Sequence, residues 1–248
     1  MSGIRVSRGD GPNAAGECLL GICDGSGFVI DVETNTAYDC QCRPQQVALR
    51  KARSLSAVIP RRYRDMSFDR QPVTDIEPRA VVDEVKKFAR RIDGHLDAGR
   101  GLWLTGPVGT GKTTLAMLVS KAALNAGRSV AIYSLPRLLN EIRDGHRAER
   151  SHVDLLDRLT EVDLLHVDDV GAERTTDWVL EELYSIVNAR YEDQRSMIIT
   201  TNLDYAELEA QVSARTASRL AEMCDQLPVQ GADRRVELSA GMSDSAQS

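Results

Sequence analysis

The stretch Gly106-Pro107-Val108-Gly109-Thr110-Gly111-Lys112-Thr113 limits what this chain can fold into more than any other segment. Its outer glycines, followed by lysine and a hydroxyl residue, have the spacing of a phosphate-binding loop. Before it, Leu102, Trp103 and Leu104 read as a short apolar strand; after it, Thr114 to Val119 read as the start of a helix. Glycines at 106, 109 and 111 let the backbone turn tightly, so that its N–H groups converge on one anion. The helix N-terminus adds a partial positive charge. Lys112 is expected to reach the β- and γ-phosphates of a nucleoside triphosphate and the Thr113 hydroxyl to hold Mg²⁺, with Thr114 completing the nucleotide contacts. The alternative, a glycine-rich turn that binds nothing, leaves the Lys-Thr pair and the strand–helix flanks unexplained.

The rest of the chain has to supply a sheet and helices around that loop. From residue 79 onward apolar runs alternate with helical periodicity. The pattern predicts an amphipathic helix over 79–98, carried by Val81, Val85, Phe88, Ile92 and Leu96. Strand 101–105, helix 112–126, strand 129–133, helices 136–144 and 153–160, strand 163–168 and helix 175–193 follow. Strand 196–201, helices 204–211 and 213–223 and a last strand near 227–230 complete the series. Such alternation predicts an α/β fold, a parallel sheet with helices on both faces.

Leu164-Leu165-His166-Val167-Asp168-Asp169 is an apolar strand ending in two acids, 55 residues beyond Thr113. An acid at this strand end holds Mg²⁺ in a phosphate-loop fold, a role expected of Asp168. Asp169 is placed to orient or deprotonate an attacking water; a capped strand end before a turn is the plainer reading. Asn202, after the strand Ile198-Ile199-Thr200-Thr201, offers an amide for the water or the γ-phosphate, or marks a simple turn. Arg215 and Arg219 lie one helical turn apart, either as a solvated face or with one reaching a neighbouring subunit's γ-phosphate. Arg235 is a candidate for contacting the nucleotide from its own chain.

Cys18, Cys23, Cys40 and Cys42 form two close pairs, C-x4-C and C-x-C. Four thiolates in two pairs suit a structural Zn²⁺, although C-x2-C is the usual spacing; the alternative is four unconnected thiols. Cys224 lies in an apolar helical pattern and reads as a small buried hydrophobe. Between Arg43 and Arg64 there are seven Arg or Lys and no Asp or Glu, in a chain of net charge −6. The overall charge argues against indiscriminate nucleic-acid binding, yet a local basic strip can bind phosphates. No run of 18 apolar residues occurs, so no membrane span is expected. The opening MSGIRVSRGDGPN lacks the apolar core of a signal peptide, which makes a cytoplasmic protein with reduced or metal-bound thiols the expectation. The expected organisation is a cysteine-rich module over 1–42, a basic linker over 43–62, an ATPase domain over 63–238 and a polar, disordered tail over 239–248.

From Arg62-Tyr63-Arg64-Asp65-Met66-Ser67-Phe68 onward, taken together, these motifs resemble the bacterial AAA+ replicative-helicase loaders of the DnaC/DnaI type and the related IstB transposition helpers. The likeness runs through the phosphate loop, Leu164 to Gly171, Leu183 to Tyr191, Thr200-Thr201-Asn202, the Arg215/Arg219 pair and Gly231-x-Asp233-x-Arg235. Asp-Asp stands at 168–169 where most AAA+ proteins have Asp-Glu. The resemblance implies that Asn202 is the sensor-1 residue, Arg219 the trans-acting finger and Arg235 the sensor-2 arginine. It further implies ATP hydrolysis, an ATP-dependent homo-oligomer, single-stranded DNA and a replicative helicase as partners. Arg137, Arg143, Arg147 and Arg150 fall where such proteins line a DNA path, or form an exposed basic helix. A transposition helper acting on double-stranded DNA, a small-molecule kinase and a non-hydrolysing adaptor are the competing readings.

Overall fold

The computed structural model describes residues 18, 21–23, 26–31, 34, 36–43, 59–145, 149–171, 176–231 and 233. The expected tail, most of the linker, Arg147 and Arg235 lie outside the described residues.

Two short strands, β1 (Phe28–Asp31) and β2 (Thr36–Asp39), pair antiparallel as a hairpin between the cysteine pairs. The main unit begins with a short helix α1 (Arg61–Arg64), a 3₁₀ turn (Val73–Asp75), α2 (Arg79–Arg90) and α3 (Ile92–Asp97). There follow β3 (Gly101–Thr105), α4 (Lys112–Asn125), β4 (Val130–Ser134), α5 (Leu135–Gly145), α6 (Glu149–Glu161) and β5 (Leu164–Asp168). The unit ends with α7 (Asp177–Glu192), β6 (Ser196–Thr201), α8 (Tyr205–Val212), α9 (Ala214–Met223) and β7 (Cys224–Pro228).

All five main strands run parallel in the order β4-β5-β6-β3-β7. The inner strands are continuous apolar runs because both faces are covered. Alternation along each strand divides the core. Leu102, Leu104, Leu164 and Ile198 pack with α2, α3 and α4, while Trp103, Leu165, Val167, Met197 and Ile199 pack with helices α5 to α9. Sheet order is not chain order: β6 lies between the strand that feeds the phosphate loop and the strand that ends in acids.

Three boundaries differ from the sequence reading. The helix expected over 79–98 is two helices, broken at Arg91 with φ −111° and ψ 29°. Phe88, Ile92 and Leu96 are buried on either side of the break, so the apolar spacing carries across it unseen. The helix expected from 153 begins at 149. The last strand is Cys224–Pro228 rather than 227–230, and Cys224 is a strand residue, not a helical one. It is buried at 2% exposure, as a small hydrophobe would be, and burial raises its thiol pKa to about 12. Asp225 and Gln226 are exposed because β7 is a sheet edge, and their polarity hid the strand.

Candidate nucleotide site

Beyond β3 the chain turns through Gly106, Gly109 and Gly111 at φ values of 136°, 82° and 104°, left-handed angles that glycine adopts without penalty. Close packing adds a second reason for two of them. A Cβ on Gly106 would stand 1.9 Å from the Val229 carbonyl oxygen, and one on Gly109 1.9 Å from Asp233 Oδ1. Residues following β7 therefore lie against the loop, held there by the Val229 N–H on the Thr105 carbonyl at 2.8 Å. Thr110 is buried and its hydroxyl donates to the Pro107 carbonyl at 2.9 Å, bracing the turn from within. Pro107 and Val108 are exposed at its crest.

Lys112 opens α4, and its Nζ donates to the carbonyls of Gly106 and Pro107 at 2.6 and 2.7 Å. Gly111, which precedes it, gives no side-chain cap to the helix amides. The next residue, Thr113, donates to Asp168 Oδ1 at 2.9 Å. Strand parity explains that meeting. Leu164, on the α4 face of β5, shares its parity with His166 and Asp168. The same rule places Thr200 on the α4 side of β6, where its hydroxyl donates to Asp168 Oδ1 at 2.6 Å. Thr200 Oγ1 also accepts the Asp169 N–H at 2.9 Å, and its carbonyl accepts the Val170 N–H at 2.8 Å.

Asp169 leaves the strand at φ 62°, a left-handed angle uncommon outside glycine, and its side chain is exposed. The two consecutive acids thus differ: Asp168 is half-buried between two hydroxyls, whereas Asp169 is presented at the end of the strand. Under Asp168, His166 is fully buried with Nδ1 3.0 Å from the Ser120 hydroxyl on α4. Burial lowers its pKa to about 4, against a smaller opposing pull from Asp168, so the ring is neutral.

Asn202, the expected polar residue after β6, is exposed; the residue that ties this strand to the acids is Thr200. Arg219 lies in α9 with its guanidinium over Tyr184 and Tyr191, at 4.8 and 5.6 Å from the ring centroids. Arg215 is exposed on the same helix. Thr114, in the first turn of α4, is half-buried.

The donor set fits the groups expected here. Glycine-lined amides and Lys112 suit phosphate, and the Thr113 hydroxyl with the Asp168 carboxylate offers the hard oxygens that Mg²⁺ selects.

At the hairpin, the four thiol sulfurs all lie within 4.8 Å of one another. Cys18 and Cys40 are 4.0 Å apart and Cys23 and Cys42 3.4 Å apart. A zinc tetrahedron with bonds of about 2.3 Å has sulfur–sulfur edges of about 3.8 Å, so the cluster has the right size for one ion. Burial, then hydrogen bonding from Cys23, raises the Cys42 thiol pKa well above its usual range.

A parallel sheet in this strand order, with a phosphate loop, an acid-ended strand and a polar strand between them, defines a P-loop nucleoside triphosphatase fold of the AAA+ class. Residues 45–240 match the family model described as IstB-like ATP binding protein, and the chain belongs to that family. It is 26% identical over 160 residues to the replicative helicase loader DnaC of Buchnera aphidicola (subsp. Baizongia pistaciae), covering 64% of each chain. It is 29% identical over 159 residues to a Mycobacterium tuberculosis protein named for ATP binding in an insertion sequence, covering 61% of each. The match spans less than two thirds of either relative. Among solved structures, the DnaC helicase loader superposes with a TM-score of 0.60 and 25% identity, over 68% of this chain and 99% of that one.

Proposed function

We propose that this protein hydrolyses ATP and uses the cycle to deliver a replicative helicase to single-stranded DNA as an ATP-dependent homo-oligomer. The observation that carries the reading is the match to 99% of the solved DnaC helicase loader at a TM-score of 0.60, together with a P-loop joined to Asp168. In this account Lys112 leaves the loop carbonyls to bind the β- and γ-phosphates, and residues 106–114 cradle them. Thr113 and Asp168 would hold Mg²⁺, which when bound neutralises charge developing between the β- and γ-phosphates. Asp169 takes the proton of the attacking water, and Asn202 lies on the γ-phosphate side. Arg219 of a neighbouring subunit completes the site, a contribution worth about 10³–10⁵ in rate where such fingers operate. Arg235 belongs to the same set by resemblance.

The proposed organisation keeps the sequence boundaries: a cysteine module over 1–42 holding one structural Zn²⁺, a linker over 43–62, an ATPase unit over 63–238 and a tail over 239–248. Arg137 and Arg143, exposed on α5, are the residues proposed to meet the phosphates of single-stranded DNA. Among the described residues no helix is long and apolar enough to cross a membrane, in keeping with a cytoplasmic role.

The relative from an insertion sequence favours a second reading, a transposition helper that assembles on double-stranded DNA. Pull-down with the host's replicative helicase, plus ATP and either single- or double-stranded oligonucleotide, separates the two. The loader reading expects a ternary complex on the single strand. Absence of helicase binding, with ATP-dependent assembly on duplex, would replace it with the second.

A further inference from the structure

We propose that Tyr184 and Tyr191 form an aromatic seat that presents Arg219 to the nucleotide of a second copy of this chain. The inference rests on the reading of Arg219 as the trans-acting residue and assigns the residues that position it.

Tyr184 and Tyr191 are seven residues apart on α7, two helical turns, and so share one side of that helix. The Arg219 guanidinium carbon is 4.8 Å from the first ring and 5.6 Å from the second. Tyr191 donates its hydroxyl to Glu222 Oε2 at 2.5 Å, and Glu222 lies one turn beyond Arg219 on α9. One wall of the seat is therefore fixed by the helix that carries the arginine. Aromatic faces attract the cation without using its in-plane N–H donors.

One of those donors, Arg219 Nη1, is buried and has no hydrogen-bond partner among the described residues. A buried unpaired donor on a charged group is unfavourable, so the seated arginine is held by stacking yet stands to gain from an anionic acceptor. Arg190, on the same α7, also has one buried donor, Nε, without a partner among the described residues, but its two terminal nitrogens are held by backbone. It directs Nη1 and Nη2 to the carbonyls of Leu159, Val162 and Ser196 at 2.6 to 2.9 Å, as a structural arginine does. Nη1 is shielded within the seat, so a phosphoryl oxygen of the second copy reaches it as the side chain turns outward at the edge of the rings, where that oxygen supplies the charged acceptor Nη1 lacks. The rings cut the number of conformations that a long side chain would otherwise lose when it engages that oxygen.

The test mixes two inactive proteins. Lys112→Ala protomers lack a working phosphate loop but carry Arg219, and Arg219→Ala protomers have the loop without the finger. An equimolar mixture with ATP and oligothymidylate is expected to recover turnover that neither shows alone. Adding Tyr184→Leu to the Lys112→Ala protomer should lower the recovered rate about tenfold, the effect of losing one close cation–π contact, while Tyr184→Phe keeps it. The donor protomer's own site is silent, so a general effect on nucleotide binding does not register. Tyr191→Leu, at an exposed position, carries the same comparison where Tyr184→Leu lowers the helical circular dichroism signal. Full recovery with the leucine donors would overturn the seat. Failure of the Lys112→Ala parent to rescue Arg219→Ala would instead remove the trans reading before any tyrosine is changed.

Discussion

Thr200 donates its hydroxyl to Asp168 and receives the N–H of Asp169, so one buried side chain orients two consecutive acids. Thr200→Val keeps the shape and removes both bonds. The expected result is a fall in kcat for ATP of about 10–100-fold, the usual cost of losing an outer support of a metal-binding group, with nucleotide affinity nearly unchanged. Thr200→Ser should restore the rate, and an unchanged kcat in the valine variant would show that the acids hold their geometry without it. His166 makes a pH-dependent contribution. Its folded pKa of about 4 lies below the unfolded value of 6.5, so the unfolded state binds the extra proton first. Stability is thus complete above pH 6.5 and falls as the pH drops toward 4. Between pH 7 and 5 the loss from this group is about 2 kcal/mol. Urea unfolding at both pH values should show that much less acid sensitivity in His166→Asn than in wild type; equal sensitivity would contradict the assignment.

Arg190 joins α7 to the end of α6 and the start of β6, placing a buried guanidinium against backbone carbonyls. Burial lowers its pKa to about 9, which still leaves it charged at neutral pH. Arg190→Met would strand several carbonyls at once, and unfolding free energy should fall by on the order of 4 kcal/mol; a loss below about 1 kcal/mol would deny it that role. Nothing in Asn188-Ala189-Arg190-Tyr191 marks this arginine as interior, because burial here comes from tertiary packing and not from the helix pattern. The phosphate loop was legible because backbone geometry restricts its residues, and Asp168 because an apolar strand ends there. Thr200 was hidden behind Asn202 since strand order differs from chain order, and only parity across β5 and β6 brings it to Asp168. The cysteine hairpin was legible by count, and its unusual spacing left the pairing open until the sulfurs came within 4.8 Å. Metal analysis should find one zinc per chain, lost in Cys40→Ser; an intact protein free of zinc would reject the site.

The whole molecule carries a net charge of −6. With so acidic an average, the proposed DNA contact is confined to local patches of arginine such as the exposed Arg137 and Arg143. Binding through such patches goes mainly to phosphates and must weaken steeply as salt rises. Sheet order brings the loop after β3, the acids after β5 and Thr200 on β6 to one end of the sheet, as a parallel α/β architecture favours. This end of the sheet is the proposed ATPase site, coupled to DNA. The most direct measurement is steady-state ATP turnover by wild type and Lys112→Ala, each with and without single-stranded DNA. DNA should stimulate the wild type, and Lys112→Ala should stay at background in both conditions. Equal turnover by the two proteins would contradict the site, and wild-type turnover indifferent to DNA would contradict the coupling.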